Sequence, residues 1–160
     1  MNKLKTTQNV FAALLTGAIS TIASSAIAQE VLKWGHVYES ATPYHQAALM
    51  AATKFEAATN GRYKIEVFPA SQLGKEVALN EGLSLGTVDI IYTGVAFIGQ
   101  SYPPIAISDF PFTMRDFDHW AAYSESDLFS ELAQAYTGIT GNHVVNLTYY
   151  GARHVTANKP

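Results

Sequence analysis

Residues 63–92 read YKIEVFPASQLGKEVALNEGLSLGTVDIIY, and this stretch decides the fold. Apolar and polar side chains alternate over 63–68 and Pro69 follows, which predicts a β-strand. A turn comes next, and the pattern then predicts a helix over about 75–85 that ends at a glycine. The short apolar run 88–92 is typical of a buried parallel strand. A strand, a helix and a second strand in this order indicate a βαβ unit.

The segment before this stretch has the same organisation. Residues 31–37 are rich in β-branched and aromatic side chains and predict a first strand. Thr42 is the predicted N-cap of a helix that runs to about Asn60, and Pro43 suits its first position because the missing N–H costs nothing there. Apolar residues at three- and four-residue spacing predict a single core-facing stripe, formed by Tyr44, Ala47, Ala48, Ala51, Phe55 and Ala58.

The segment after the stretch is predicted to add helices and one more strand. Residues 102–112 are predicted to be irregular, and Asp116 is the expected N-cap of a helix that contains Trp120 and Tyr123 as core residues. Asp127 is expected to cap a helix over 128–136, and residues 143–150 are expected to form a strand. Strands that alternate with helices throughout indicate an α/β fold with a mostly parallel sheet.

The composition excludes several classes of protein. The 160 residues are 48% apolar and 14% charged, with 10 Lys and Arg against 13 Asp and Glu and no cysteine. This apolar content suffices for one core and excludes intrinsic disorder. The absence of a basic excess argues against a nucleic-acid partner. Without cysteine, disulfides, thiolate metal sites and thiol catalysis are excluded.

The first 28 residues have the features of a secretory signal peptide. Lys3 and Lys5 precede an uncharged stretch whose apolar centre lies at 10–15, and small residues lead to a cleavage point after Ala28. The alternative is a membrane anchor, but a span needs about 20 mostly apolar residues. We therefore expect export, cleavage and no membrane insertion of the mature chain. That chain, 29–160, has a net charge of −5, so an acidic ligand would need a few specifically placed cations.

Motifs of the common catalytic sites are missing. The five histidines have no pair at the i, i+4 spacing of a zinc helix, and no Gly-x-Ser-x-Gly elbow occurs. Residues 94–101 approach a phosphate-binding loop, but Gln100 stands where that loop needs its lysine. We expect neither enzymatic activity nor a metal or cofactor, which leaves binding as the leading class of function.

Five groups of residues occur in order along residues 30–160 and carry a family resemblance. They are LKWGH at 32–36, PASQLGKE at 69–76, EG at 81–82 with LGTVDI at 85–90, FPF at 110–112 and YYGAR at 149–153. The set resembles the TRAP-type (tripartite ATP-independent periplasmic) solute-binding proteins, also called the dicarboxylate-binding family.

The resemblance implies a periplasmic receptor that binds a small organic acid, either a sugar acid such as a uronate or a dicarboxylate. It implies partners in the membrane permease subunits of a TRAP transporter. It also implies a two-lobe periplasmic-binding-protein-like fold, in which 29–160 is the N-terminal lobe. The second lobe, and the second carboxylate-binding arginine of the family, do not occur in this sequence, so the fold is expected to be incomplete.

The resemblance also implies two charged ligand contacts. Arg153 matches the family's first ligand-binding arginine, and a guanidinium grips a carboxylate through two parallel hydrogen bonds. Spacing alone would favour a surface arginine. Glu76 matches an acidic contact position after the SQLG turn, where its oxygens would accept hydrogen bonds from ligand hydroxyls. The alternative for Glu76 is a first-turn helix residue stabilised by the helix dipole.

Three further candidates, His36, Tyr38 and Glu39, follow the first strand at a place where the family lines its cleft. The alternative for all three is a solvated loop. Two other functions also remain open: an exported sugar-acid-processing enzyme using His36, Glu39 or Glu76, and an interaction module that binds a periplasmic partner without a ligand.

Overall fold

The computed structural model describes residues 28–154 and 156–159, and the predicted signal peptide, apart from Ala28, lies outside these residues. Strands and helices alternate along the described part, which confirms the predicted α/β class. The elements are β1 (Glu30–Gly35), α1 (Pro43–Ala58), β2 (Tyr63–Phe68), α2 (Glu76–Leu85), β3 (Ile90–Ile91), α3 (Val95–Ile98), a 3₁₀ helix (Pro103–Asp109), α4 (Phe117–Ser124) and α5 (Asp127–Thr140).

The sheet has the strand order β2-β1-β3, and both pairings are parallel. β1 pairs with β2 along its whole length, from Glu30 opposite Tyr63 to Gly35 opposite Phe68. β3 pairs with the last two residues of β1, and it is shorter than the predicted 88–92. The three strands therefore end together at one edge of the sheet.

Helices cover both faces of the sheet at the end of β1. A Cβ added at Gly35 would lie 2.7 Å from Leu79 Cδ2 of α2, so a larger residue here would force the buried Leu79 side chain to shift. The next residue, His36, bonds to His45 of α1. Because successive residues of an extended chain point to opposite sides, α2 and α1 pack on opposite faces.

The buried stripe of α1 differs from the predicted one. His45, Ala48 and Ala52 are the buried residues of this helix, and of the predicted stripe only Ala48 is buried. Tyr44 is half-buried, whereas Ala47, Ala51, Phe55 and Ala58 are exposed. The hydrogen bond between His36 and His45 turns a polar residue inward, and hydropathy alone gave no sign of it. The predicted N-cap position of Thr42 is correct, but its hydroxyl donates to the carbonyl of Glu39.

A second cluster of buried residues joins α3, the 3₁₀ helix and α5. Ile98, Ile105 and Tyr136 form its centre. The prediction of irregular structure over 102–112 is therefore wrong for 103–109, where Ile105 is buried and the chain coils around it. Proline at the start of this segment suits a helical turn.

The two C-terminal helices begin at side-chain caps. Asp116 accepts a hydrogen bond of 2.7 Å from the backbone N–H of His119, as predicted for α4. In α5 the cap is Ser126, which accepts from Phe129 N, so the prediction of Asp127 is wrong by one residue. The helix also continues past its predicted end to Thr140 and terminates at Gly141, whose φ of 76° is left-handed.

The strand predicted over 143–150 is not formed. These residues are described and adopt no regular secondary structure. Their apolar residues fit a strand, but strand stability depends on pairing with a neighbour. Tyr149 instead packs against Phe117 and Trp120 of α4, with ring centroids 5.0 and 5.1 Å apart. Among the described residues, no helix combines the length and apolarity that crossing a membrane requires.

Candidate functional site

The carboxyl ends of the parallel strands bring several predicted site residues to one edge. β1 leads into His36 and β3 leads into Tyr92, and the backbone N–H of Tyr92 donates to the carbonyl of Gly35 at 3.2 Å. The chain passes from β1 to β2 on one side and then to β3 on the other, so this edge is a topological switch point. Ligands of open α/β sheets bind at such points.

Backbone hydrogen bonds tie the loop after β1 to the loop after β2. Ala70 N–H donates to the carbonyl of Tyr38 at 2.8 Å, and Ser71 N–H donates to that of His36 at 3.1 Å. Ala70 and Ser71 have φ values of 50° and 60°, in the left-handed region that non-glycine residues rarely adopt. Such backbone strain persists only where the surroundings hold it, so this wall of the site is fixed.

His36 and His45 form a buried pair behind this wall. His36 is 0% exposed, and its Nε2 lies 3.2 Å from Nδ1 of His45. Burial, together with the charge of His45, lowers the pKa of His36, so its neutral form is favoured. Nδ1 of His36 has no hydrogen-bond partner among the residues of ranges 28–154 and 156–159. The pair connects the end of β1 to α1.

Three tyrosines, Tyr38, Tyr44 and Tyr150, lie together in front of this pair and are called here the tyrosine cluster. Their ring centroids are 4.6, 5.4 and 5.9 Å apart. Burial, followed by the nearby Glu76 carboxylate, raises the pKa of Tyr38 to about 12. Tyr150 is 59% exposed, which leaves the cluster open on its side.

Glu76 begins α2 beside the tyrosine cluster. Its Oε1 accepts a hydrogen bond of 3.0 Å from the backbone N–H of Gly94, just after β3. Asn80, one turn further along α2, donates to the Glu76 carbonyl at 2.7 Å and to Thr93 Oγ1 at 2.8 Å. These bonds fix Glu76 at the strand ends. Its half-buried carboxylate has oxygen lone pairs to offer to a ligand hydroxyl.

The other two predicted residues lie apart from this group. Glu39 is exposed, and its carbonyl accepts bonds from the backbone N–H and the hydroxyl of Thr42 at the start of α1. The Arg153 side chain is 74% exposed and lies 3.5 Å from Asp109 Oδ1. The structure thus brings His36, Tyr38 and Glu76 together, and it places Arg153 three residues beyond Tyr150.

Sequence reasoning missed four members of this site: His45, Tyr44, Tyr92 and Tyr150. Tyr92 lies at the end of a predicted strand. The rule that ligands bind at the carboxyl ends of parallel strands therefore applies to Tyr92 as it does to His36. Tyr150 belongs to the YYGAR motif, of which only the arginine was predicted to bind the ligand. His45 and Tyr44 were assigned to a helix, and their contacts with His36 and Tyr38 cross the loop before that helix, so the helical pattern does not show them.

The site is an open face. Two shallow cavities, of about 370 and about 470 Å³, lie along α2 with α3 and along α5, and none of the predicted site residues lines either of them. Within the described ranges, no three His, Asp or Glu side chains are grouped closely enough to hold a metal ion. The grouped residues therefore offer aromatic surface and a fixed carboxylate, and Arg153 lies apart from them beside Asp109.

Known proteins match the chain over most of its length. The family of bacterial extracellular solute-binding proteins, family 7, matches residues 34–160. A solute-binding protein of Roseobacter denitrificans is 29% identical over 150 residues, which are 92% of this chain and 46% of that protein. The sialic acid-binding periplasmic protein of Vibrio cholerae is 28% identical over 157 residues, covering 98% and 48%. The chain spans about half the length of these relatives.

Solved structures share the fold. A TRAP periplasmic solute-binding protein of a Polaromonas species, bound to D-erythronate, is 29% identical with a TM-score of 0.66, over 71% of this chain and 37% of that one. The Roseobacter denitrificans relative, with bound L-galactonate, is 30% identical with a TM-score of 0.65, over 70% and 37%. These matches confirm the periplasmic-binding-protein-like α/β fold and its partial extent.

Proposed function

Since the chain belongs to family 7 of the bacterial extracellular solute-binding proteins, as its motifs indicated, we propose that it is the receptor portion of a TRAP transporter. The family is one of binding proteins, not of enzymes, which agrees with the missing catalytic motifs. In this proposal the chain is exported, and 29–160 forms the first lobe of a periplasmic receptor. It binds a small organic acid there and passes it to the permease subunits in the membrane.

The observation that carries the proposal is the grouping of His36, Tyr38 and Glu76 at the switch point of the sheet. The grouping is held from behind by the His36–His45 bond and from the side by Glu76 bound to Gly94. A fixed wall of this kind lowers the cost of ordering side chains when a ligand binds.

Arg153 supplies the positive charge that the ligand carboxylate needs. Its contact with Asp109 is 3.5 Å, longer than the 2.7–2.9 Å typical of a charge-assisted hydrogen bond. An exposed ion pair of this kind contributes little stability. The guanidinium is therefore free to leave Asp109 and to grip a carboxylate placed beside Tyr150.

A hydroxylated acid suits the site better than a plain dicarboxylate. Glu76 attracts hydroxyl donors and repels a second carboxylate. Three of the matched proteins are named with hydroxylated carboxylic acids, which are sialic acid, D-erythronate and L-galactonate, whereas two other relatives are named as C4-dicarboxylate-binding proteins. The open face leaves much of such a ligand in water, so we expect this chain to bind it weakly.

The test is a nuclear magnetic resonance titration of the chain with D-glucuronate, since chemical shifts detect weak binding. We expect saturable shifts of the His36, Tyr38 and Glu76 amide signals. Arg153→Lys should weaken binding about tenfold, because lysine lacks the planar fork that binds a carboxylate through two bonds. Arg115→Lys, a change of another arginine in the 28–154 range, is the matched control and should leave binding unchanged. Titrations without saturable shifts would refute the proposal.

A further inference from the structure

One edge of the sheet has the features of an interface with a second copy of the chain. β2 is an outer strand of the order β2-β1-β3, and it pairs residue for residue with β1 over its whole length. β3 lies at the opposite edge but has only two residues. We propose that two copies of the chain pair antiparallel through β2 and form a weak, reversible dimer with one continuous sheet.

Alternate residues of β2 direct their backbone groups away from β1. The carbonyl of Arg62, just before β2, accepts a hydrogen bond of 2.9 Å from the backbone N–H of Glu30 in β1. Because the direction of the peptide groups alternates along a strand, those of Tyr63, Ile65 and Val67 face the outer side. Among the residues that the structure describes, no further strand pairs with this side. The edge therefore offers the backbone donors and acceptors of Ile65 and Val67 to another strand.

The charges on β2 favour an antiparallel pair centred on Ile65. Lys64 and Glu66 lie on one face of the strand, with Nζ 3.0 Å from Oε1, and their side chains are 44% and 45% exposed. Charges of a single sign on an edge strand prevent self-pairing, but these two are self-complementary. Each Lys64 lies opposite the Glu66 of the second copy, at non-hydrogen-bonded positions where side chains approach most closely. A parallel pair in the same register would place like charges opposite each other.

The other face of β2 adds apolar contacts to the same pairing. An antiparallel pair centred on Ile65 places each Tyr63 opposite the Val67 of the second copy, and aromatic and β-branched side chains stabilise such cross-strand pairs. Phe55 of α1 packs on Tyr63 with ring centroids 6.0 Å apart and is still 39% exposed, so it borders the edge. One strand from each copy buries less surface than a permanent dimer needs, and the association should therefore be weak.

Sedimentation equilibrium of the chain at concentrations up to about 1 mM tests the proposal, since weak dimers form only at such concentrations. We expect a monomer–dimer equilibrium that weakens in high salt, because partly exposed ion pairs are screened. Lys64→Glu and Glu66→Lys should each weaken dimerisation about tenfold, since each places like charges opposite one another. The double variant Lys64→Glu/Glu66→Lys should restore the wild-type dissociation constant to within about threefold, because the exchanged charges are again complementary.

The control variant separates the β2 edge from the overall charge of the chain. Glu131→Lys makes the same change of charge on the exposed side of α5 and should not weaken the dimer. Because the chain has a net negative charge, a general charge effect of Glu66→Lys would strengthen association instead of weakening it. A monomeric wild type at about 1 mM would overturn the proposal. So would equal weakening by Glu131→Lys, or a folded double variant that does not dimerise.

Discussion

The strand-end wall and the C-terminal segment that faces it are built in different ways. The wall, which contains His36, Tyr38 and Glu76, is fixed by backbone hydrogen bonds, a buried histidine pair and the packing of α2. The C-terminal segment over 142–154 lies in no strand or helix. At its start Asn142 bonds to Ser84 and Val144 packs on the Ile98 cluster, and further on it is held by aromatic contacts and an ion pair whose arginine is exposed.

This difference assigns different tasks to the two regions. A fixed wall sets where the ligand lies, because its groups need no ordering when the ligand arrives. A segment held by weak contacts is able to rearrange, because few buried contacts oppose its movement. In our account the wall therefore positions the acid, and Arg153 moves to capture its carboxylate.

The largest expected effect concerns the packing beneath the wall. Leu79, which is 0% exposed, supports the end of β1, and Leu79→Ala should lower the free energy of unfolding by about 2–5 kcal/mol. Val145 of the C-terminal segment is 92% exposed, and Val145→Ala should change stability by no more than about 0.5 kcal/mol. Urea denaturation measures both, and equal losses would show that the two regions are equally well packed.

The buried histidine pair should give the next largest effect. His45→Ala leaves Nε2 of His36 buried without its partner, which costs about 1–3 kcal/mol of unfolding free energy. His143→Ala removes an exposed histidine from the C-terminal segment and serves as the control, with almost no expected change. A stability of His45→Ala equal to that of the wild type would mean that the bond does not fix the wall.

Acidic pH should destabilise the folded chain through His36 of the wall. The pKa of His36 is lowered in the folded state by burial and by His45, so the unfolded chain takes up a proton that the folded chain resists. The free energy of unfolding should therefore fall as the pH drops below about 6.5, the ordinary histidine value. Denaturation at pH 7 and pH 5 measures this fall. His36→Asn should flatten it, and an unchanged slope in that variant would exclude His36 as its source.

The smallest effect is expected at the ion pair of the C-terminal segment. Asp109→Asn removes the partner of Arg153, and an exposed pair contributes less than about 1 kcal/mol. Stability should hardly change, and the affinity for D-glucuronate should rise slightly because the guanidinium no longer has a competing carboxylate. Calorimetric melting and the resonance titration check the two parts. A clear loss of affinity would mean that Asp109 holds Arg153 in its binding position.

The same two regions differ in how far their fold followed from the sequence. β2 and α2 have nearly the predicted bounds, because alternation, helix periodicity and terminating residues all agree with the pairing to β1. The predicted strand over 143–150 failed because a strand depends on an available neighbour, which local pattern does not reveal. The buried stripe of α1 was misjudged for a similar reason, since a bond to His36, outside the helix, turns His45 inward.

The residues of the candidate site also differ in how far the sequence predicted them. His36, Tyr38 and Glu76 were selected because they follow strand ends or match a motif, and parallel strands bring such residues to one edge. Tyr150 meets Tyr38 across most of the chain, and Tyr44 meets it across the loop between β1 and α1; only the folded chain shows these contacts. The roles of all five predicted site residues in ligand binding remain predictions, and Arg153 is the one whose position must change most.

A crystal structure of the chain soaked with D-glucuronate tests the central claim most directly. We predict that the acid lies beside Tyr38 and Glu76 at the ends of β1 and β3, and that the Arg153 guanidinium has left Asp109 for the carboxylate. Glucuronate bound at another place, or at this place with Arg153 still on Asp109, would contradict the account.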